Sequence, residues 1–292
     1  MLIAFKLKLA LACAAGLAGP LAVAPLVSDH AMRNVAAHEP AMVELAPGAL
    51  SYRAAGEFTR DGKVVEAPLL SIHVSRPLSI MQHQVSSTDY QACVDDGACH
   101  ALDRNVVISL DHPAVQVSWR DASAYAAWLS RKTGGHYRLP SDQEWALAAG
   151  GKFADDSVAV DASDPAQRWI ARYDREAGRD TDTATRPFGA FGLNENGLAD
   201  LSGNVWEWTA TCFTRSVLDE TGAIAKTNAN CGVRIAEGAH RAYVTDFIRD
   251  ARAGGCAAGT PPDNLGFRLV RDEPSFVASI AARFGKTFST RG

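Results

Sequence analysis

The chain shows no excess of one charge: 29 lysines and arginines stand against 33 aspartates and glutamates in 292 residues, a net of −4. No basic run breaks that balance, which argues against nucleic acid or an anionic membrane surface as a partner. Several signatures of chemistry are also absent. The sequence has no phosphate-binding glycine loop, Gly-x-Ser-x-Gly elbow, zinc spacing, EF-hand loop or glycosidase-type carboxylate pair, and His73 and His83 do not stand at a ligand spacing. No internal repeat or second domain boundary is visible. The 13 prolines and 24 glycines fit a turn-rich globular core of one large domain.

What is present begins with an export signal. Lys6 and Lys8 precede an apolar, small-residue run from Leu9 to Val27, the pattern of a secretory signal over residues 1–27. Cleavage near Ala22-Val-Ala24 or near Ala36-Ala37 is compatible with it, and an uncleaved signal would be the chain's one attachment to a membrane. A periplasmic or otherwise exported location follows. Residues 28–48 read as a loosely packed lead-in, residues 49–272 as the domain, and residues 273–292 as a tail with helical spacing at Phe276, Ile280 and Phe284.

The six cysteines suit an oxidising compartment. Cys13 leaves with the signal. Cys93 and Cys99 flank a helix end and a glycine stop, and Cys212 and Cys231 flank a polar, turn-rich loop. Those two pairings are expected, the second restricting the unfolded chain by about 3 kcal/mol. Cys256 is the thiol left over.

Alternation between Tyr52 and Ile80 predicts two strands around an Asp61-Gly62 turn. A first helix is capped by Ser86 or Ser87. Ser118-x-x-Asp121 and Ser141-x-x-Glu144 are capping boxes for two more, the first stopped by Gly134. Tyr125, Trp128 and Trp145 stand at core spacing. Residues 152–186 and 219–230 read as polar surface loops, and Phe267–Val270 as a closing strand.

The most informative stretch runs from Gly197 to Thr209, Gly-Leu-Ala-Asp-Leu-Ser-Gly-Asn-Val-Trp-Glu-Trp-Thr. Trp206 and Trp208 flank Glu207, with Asp200 upstream of a Gly203-Asn204 turn. A carboxylate wedged between indoles needs a cation or several N–H donors. Residue types alone favour a buried arginine as that partner. Carboxylate and carbonyl oxygens around the turn also suit calcium.

This stretch resembles the signature of the formylglycine-generating enzyme superfamily, the sulfatase-modifying-factor domain. Ser118–Trp128 leading into Tyr137-Arg-Leu-Pro-Ser-Asp-Gln-Glu-Trp145, and Asn264-Leu-Gly-Phe-Arg268, resemble two further family motifs in the family's order, across roughly Pro77 to Asp272. The resemblance implies a single α+β domain, C-type-lectin-like, with much irregular chain. It implies calcium held by Asp200, the carbonyls of Gly203 and Val205, and Glu207, and moves the expectation there from arginine to calcium. A second family calcium site has no match beyond a weak one at Asp180 and Asp182.

The family's chemistry is copper-dependent oxidation of a cysteine in a secreted peptide, carried by two cysteines before the closing strand. Aligned without gaps from Asn264, those positions are Thr245 and Asp250 here, and neither is the soft ligand that Cu(I) prefers. Formylglycine formation is therefore not expected, and no redox metal can be named. Cys256, His240 and Asp250 remain as catalytic candidates, a thiol with a base or a single-thiolate metal site. Trp206 and Arg252 are candidates for a substrate cleft. The resemblance extends to exported branches, one maturing the pyoverdine chromophore and one encoded beside copper nitrite reductase. The implied role is an oxidoreductase-like maturation or accessory protein acting on a secreted protein or peptide, with a copper nitrite reductase as one partner. The alternative is a non-catalytic, lectin-like binding module.

Overall fold

The structure is a computed structural model that describes residues 37–103, 106–158, 164–177, 184–250 and 264–273. Every element below belongs to the compact unit Arg33–Gly292. The signal segment, Asp180, Asp182, Arg252, Cys256 and nearly all of the tail lie outside the described residues.

Six strands come first: β1 (Met42–Leu45), β2 (Gly48–Arg53), β3 (Glu57–Arg60), β4 (Lys63–Val65), β5 (Leu69–Val74) and β6 (Leu78–Met81). Two strands were expected over much of this span. Gly56, at φ 114°, turns the chain against the Thr214 carbonyl where a Cβ would lie at 2.4 Å, and Pro68 and Pro77 interrupt further. The expected lead-in is also partly structural. Its β1 pairs with β6, Met42 opposite Met81, and Val43 and Leu45 pack on a buried cluster with Trp145 and Leu198.

Helices α1 (Ser87–Asp95), α2 (Trp119–Thr133) and α3 (Asp142–Ala149) begin where capping chemistry places them. Ser86 caps α1, Ser118 and Asp121 close a reciprocal box on α2, and Ser141 and Glu144 do so on α3. Gly134, at φ 78°, ends α2 in the left-handed region a Cβ disfavours. Strand β7 (His136–Arg138) lies between α2 and α3, and α4 (Pro165–Ala177) follows within the expected surface excursion.

The later strands are β8 (Trp206–Leu218), β9 (Ile224–Glu237), β10 (Ala242–Thr245), β11 (Leu265–Gly266) and β12 (Val270–Asp272). Expected as a loop, residues 219–230 are mostly the outer half of β9 in a long β8–β9 hairpin. Both faces of that half are exposed, so no apolar alternation marks it as strand. The sheets are β1-β6-β12-β7, a larger one in the order β10-β9-β8-β3-β4 with β11 beside β8, and the β2-β5 pair. Tyr90, Tyr125, Trp128, Trp208 and Phe267 form the main core between them, so Tyr125, Trp128 and Trp145 are core residues as expected.

Candidate functional site

The site is organised by the passage from the 197–205 turn into β8. Asp200 and Ser202 adopt φ of 59° and 62°, a left-handed conformation that short polar side chains tolerate best. Gly203 is required for a different reason: a Cβ there would sit 2.3 Å from the Phe191 ring. The Asp200 carboxylate accepts the Gly189 N–H at 2.7 Å and the Phe191 N–H at 2.9 Å. Asn204 clamps the same loop through both backbone groups of Arg186.

Beyond the turn, β8 sends successive side chains to opposite faces. Glu207 is therefore not wedged between the two indoles; it points away from both. Trp208 donates to the Val117 carbonyl at 2.8 Å, and Trp206 to the His240 carbonyl at 3.0 Å. On the other face, Glu207 is fully buried against Arg268. One carboxylate oxygen accepts from Arg268 Nη2 and Gln84 Nε2, both at 2.7 Å. The other accepts from Arg268 Nε at 2.6 Å and Trp145 Nε1 at 2.8 Å. The remaining Arg268 donors reach the carbonyls of Met81, Gln82 and Ala199. All five guanidinium N–H groups are used.

The calcium set expected from the resemblance does not fit this arrangement. Both oxygens of Glu207 and both of Asp200 already accept hydrogen bonds, and Arg268 supplies the countercharge for Glu207. The partner of Glu207 in this structure is Arg268.

A second buried guanidinium, unforeseen from the sequence, stands beside the turn from β9 to β10. Arg241 Nε donates to Glu237 at 2.9 Å, and its Nη2 lies 3.0 Å from Asp142. Tyr52 also donates to Asp142. Two buried carboxyl groups thus share one guanidinium. Burial first, then the charge of Asp142 and a hydrogen bond with it, hold the Glu237 carboxyl well above the ordinary carboxylate range, against the pull of Arg241. Oδ1 of Asp142 and Oε2 of Glu237 have no other hydrogen-bond partner. A proton kept on Glu237 and donated to Asp142 satisfies both.

The residues singled out for a cleft adjoin these clusters in the chain, Trp206 preceding Glu207 and His240 preceding Arg241. Trp206 and His240 meet edge to face with centroids 5.7 Å apart, and they are 5% and 7% exposed. Gly238 lies flat under the Trp206 ring, where a Cβ would be 2.7 Å away. His240 Nδ1 is 2.8 Å from the Arg241 carbonyl, so Nδ1 carries the proton it donates. Thr245 ends β10 and Asp250 is half-buried beyond it. Disulfides join Cys93 to Cys99 and Cys212 to Cys231, the expected pairs.

Residues 27–273 match the sulfatase-modifying factor enzyme 1-like domain. The chain belongs to this family. Its fold is a single α+β sulfatase-modifying-factor domain, C-type-lectin-like in kind. Among curated relatives, a formylglycine-generating enzyme of Streptomyces coelicolor is 31% identical over 173 residues, 56% of this chain and 53% of the relative. An inactive C-alpha-formylglycine-generating enzyme 2 of Bos taurus is 32% identical over 174 residues, 55% of this chain and 50% of the relative. The chain thus spans about half the length of these relatives. The solved structure of PvdO from Pseudomonas aeruginosa aligns with a TM-score of 0.48 at 27% identity, covering 80% of this chain and 95% of that one.

Proposed function

We propose that this family member is an exported maturation or accessory protein, oxidoreductase-like, that acts on a secreted protein or peptide in the periplasm without making formylglycine. The observation that carries the reading is the pair of residues at 245 and 250. A threonine hydroxyl and an aspartate carboxylate are poor partners for Cu(I), so a two-cysteine copper centre has no ligands at those positions. Export is supported by the signal-like N-terminus and by two disulfides, bonds that persist in oxidising compartments. A copper nitrite reductase is the partner proposed from the branch that this chain resembles.

The chemistry is assigned to the face where Trp206, His240 and the end of β10 meet. Trp206 and Arg252 form the substrate cleft, and Cys256, as the reactive thiol, works with His240 and Asp250 as the catalytic group. His240 is assigned as the base that takes the thiol proton. Oxygen uptake with purified protein, and maturation of the partner in cells, test this in Cys256→Ser, His240→Ala and the double variant. Loss of both readouts in folded variants supports the enzyme. The second reading is a non-catalytic, lectin-like binding module. It is favoured by the near-complete burial of Trp206 and His240, and it gains if the double variant still works in cells.

A further inference from the structure

The two disulfides stand in opposite surroundings. Cys93 is 0% exposed within the main core. Cys231 is exposed on the surface of β9, and its partner Cys212 is half-buried on β8, where the ladder slips register on both sides. Arg234 reaches this second pair from β9. Its Nη1 lies 3.1 Å from Cys212 Sγ and donates to the Ala210 carbonyl at 2.7 Å, while its guanidinium stacks 3.8 Å above the Trp119 ring. Arg234 Nε is buried without an acceptor. The carboxylate facing this group, Asp246, is held by Arg120 at 3.0 Å. A cation with more donors than acceptors therefore points at one sulfur of a bond whose other cysteine is exposed.

We propose that Cys212–Cys231 is a thiol–disulfide exchange site for polypeptides carrying a pair of thiols. An incoming thiolate attacks the exposed Cys231 sulfur. A new sulfur–sulfur bond forms there as the bond to Cys212 breaks, and the electron pair leaves on Cys212. Arg234 lies against that sulfur and stabilises the thiolate, lowering the cost of its departure. The polypeptide's second thiolate then attacks its own sulfur in the mixed disulfide and releases Cys231. The polypeptide loses two electrons and two protons and becomes a disulfide; Cys212 and Cys231 become thiols. A second disulfide-bearing molecule reverses the change and resets the site. None of this uses Cys256 or the Trp206–His240 face, so it stands or falls separately from the function proposed above.

The test equilibrates the full chain in graded mixtures of reduced and oxidised glutathione, then alkylates the free thiols and identifies them by mass spectrometry. Cys212–Cys231 is expected to open at ratios that leave Cys93–Cys99 closed, with the fold intact. In a Cys231→Ser variant, the alkylation rate of Cys212 against pH should report a midpoint below the usual thiol value of about 8.5. Arg234→Met should raise that midpoint and, in the otherwise unaltered chain, slow oxidation of a reduced dithiol peptide roughly threefold at neutral pH for each pKa unit, on a Brønsted coefficient of about 0.5. Arg234→Lys should retain part of the effect. The proposal is overturned if both disulfides open together only on unfolding, or if a folded Arg234→Met protein keeps the parent's midpoint and rate.

Discussion

Arg268 and Arg241 are both almost wholly inaccessible to water, yet they are compensated differently. Arg268 meets one carboxylate, that of Glu207, and its remaining donors end on backbone carbonyls. Charge and hydrogen bonding close together there. Arg241 meets two fully buried carboxyl groups, Asp142 and Glu237, besides the partly exposed Asp156 at 3.7 Å, so at least one negative charge too many would be buried unless a proton stays. The ratio of acids to guanidinium thus decides whether a buried cluster is inert to pH or responds to it.

The largest expected effect breaks the balanced cluster. Glu207→Gln leaves Arg268 buried without a countercharge and should cost about 3–5 kcal/mol in a urea titration. A loss under about 1 kcal/mol would show that the pair does not anchor the fold. Trp145→Phe removes one of the four donors to Glu207 and should cost about 1–3 kcal/mol, less than additively with Glu207→Gln.

The unbalanced cluster should behave otherwise. Its folded Glu237 pKa is raised, so the stability linked to that proton is full below the unfolded value of about 4.3 and is lost as pH rises toward the folded one. Thermal melts of the parent should therefore fall as pH rises above about 5, through the interval where the folded group alone binds the proton. Glu237→Gln should flatten that slope and sit within about 1 kcal/mol of the parent at neutral pH, since an amide can donate to Asp142 as the acid does. Parallel slopes in the two proteins would refute the shared proton. Smallest of all is the response to calcium: neither calcium nor a chelator should move the melting temperature, and a clear rise with calcium would reinstate the ion at Asp200 and Glu207.

What was legible in the sequence was mostly local. Ser118 with Asp121 and Ser141 with Glu144 announce helix starts because both partners lie within one turn. The need of Glu207 for a cation was also readable, since a carboxylate flanked by tryptophans enters a dry interior. Which cation was not, because Arg268 arrives from 61 residues away. Asp142 and Glu237 gave no signal. The first reads as an ordinary acidic residue opening a helix and the second as a strand end, and only the tertiary fold brings them to Arg241. The β8–β9 arm was missed because its outer half has no buried face to impose alternation.

The placement of β12 bears on how the protein is made. This strand is made after every other strand of its sheet, yet it lies between β6 and β7 in the middle of that sheet. Arg268 emerges just before it. Until then a nascent chain that has already released Glu207 holds a carboxylate awaiting its partner, so the two halves of the sheet must stay apart and accessible. Closure of this sheet thus waits for the last of its strands in chain order, which must enter between two strands already made.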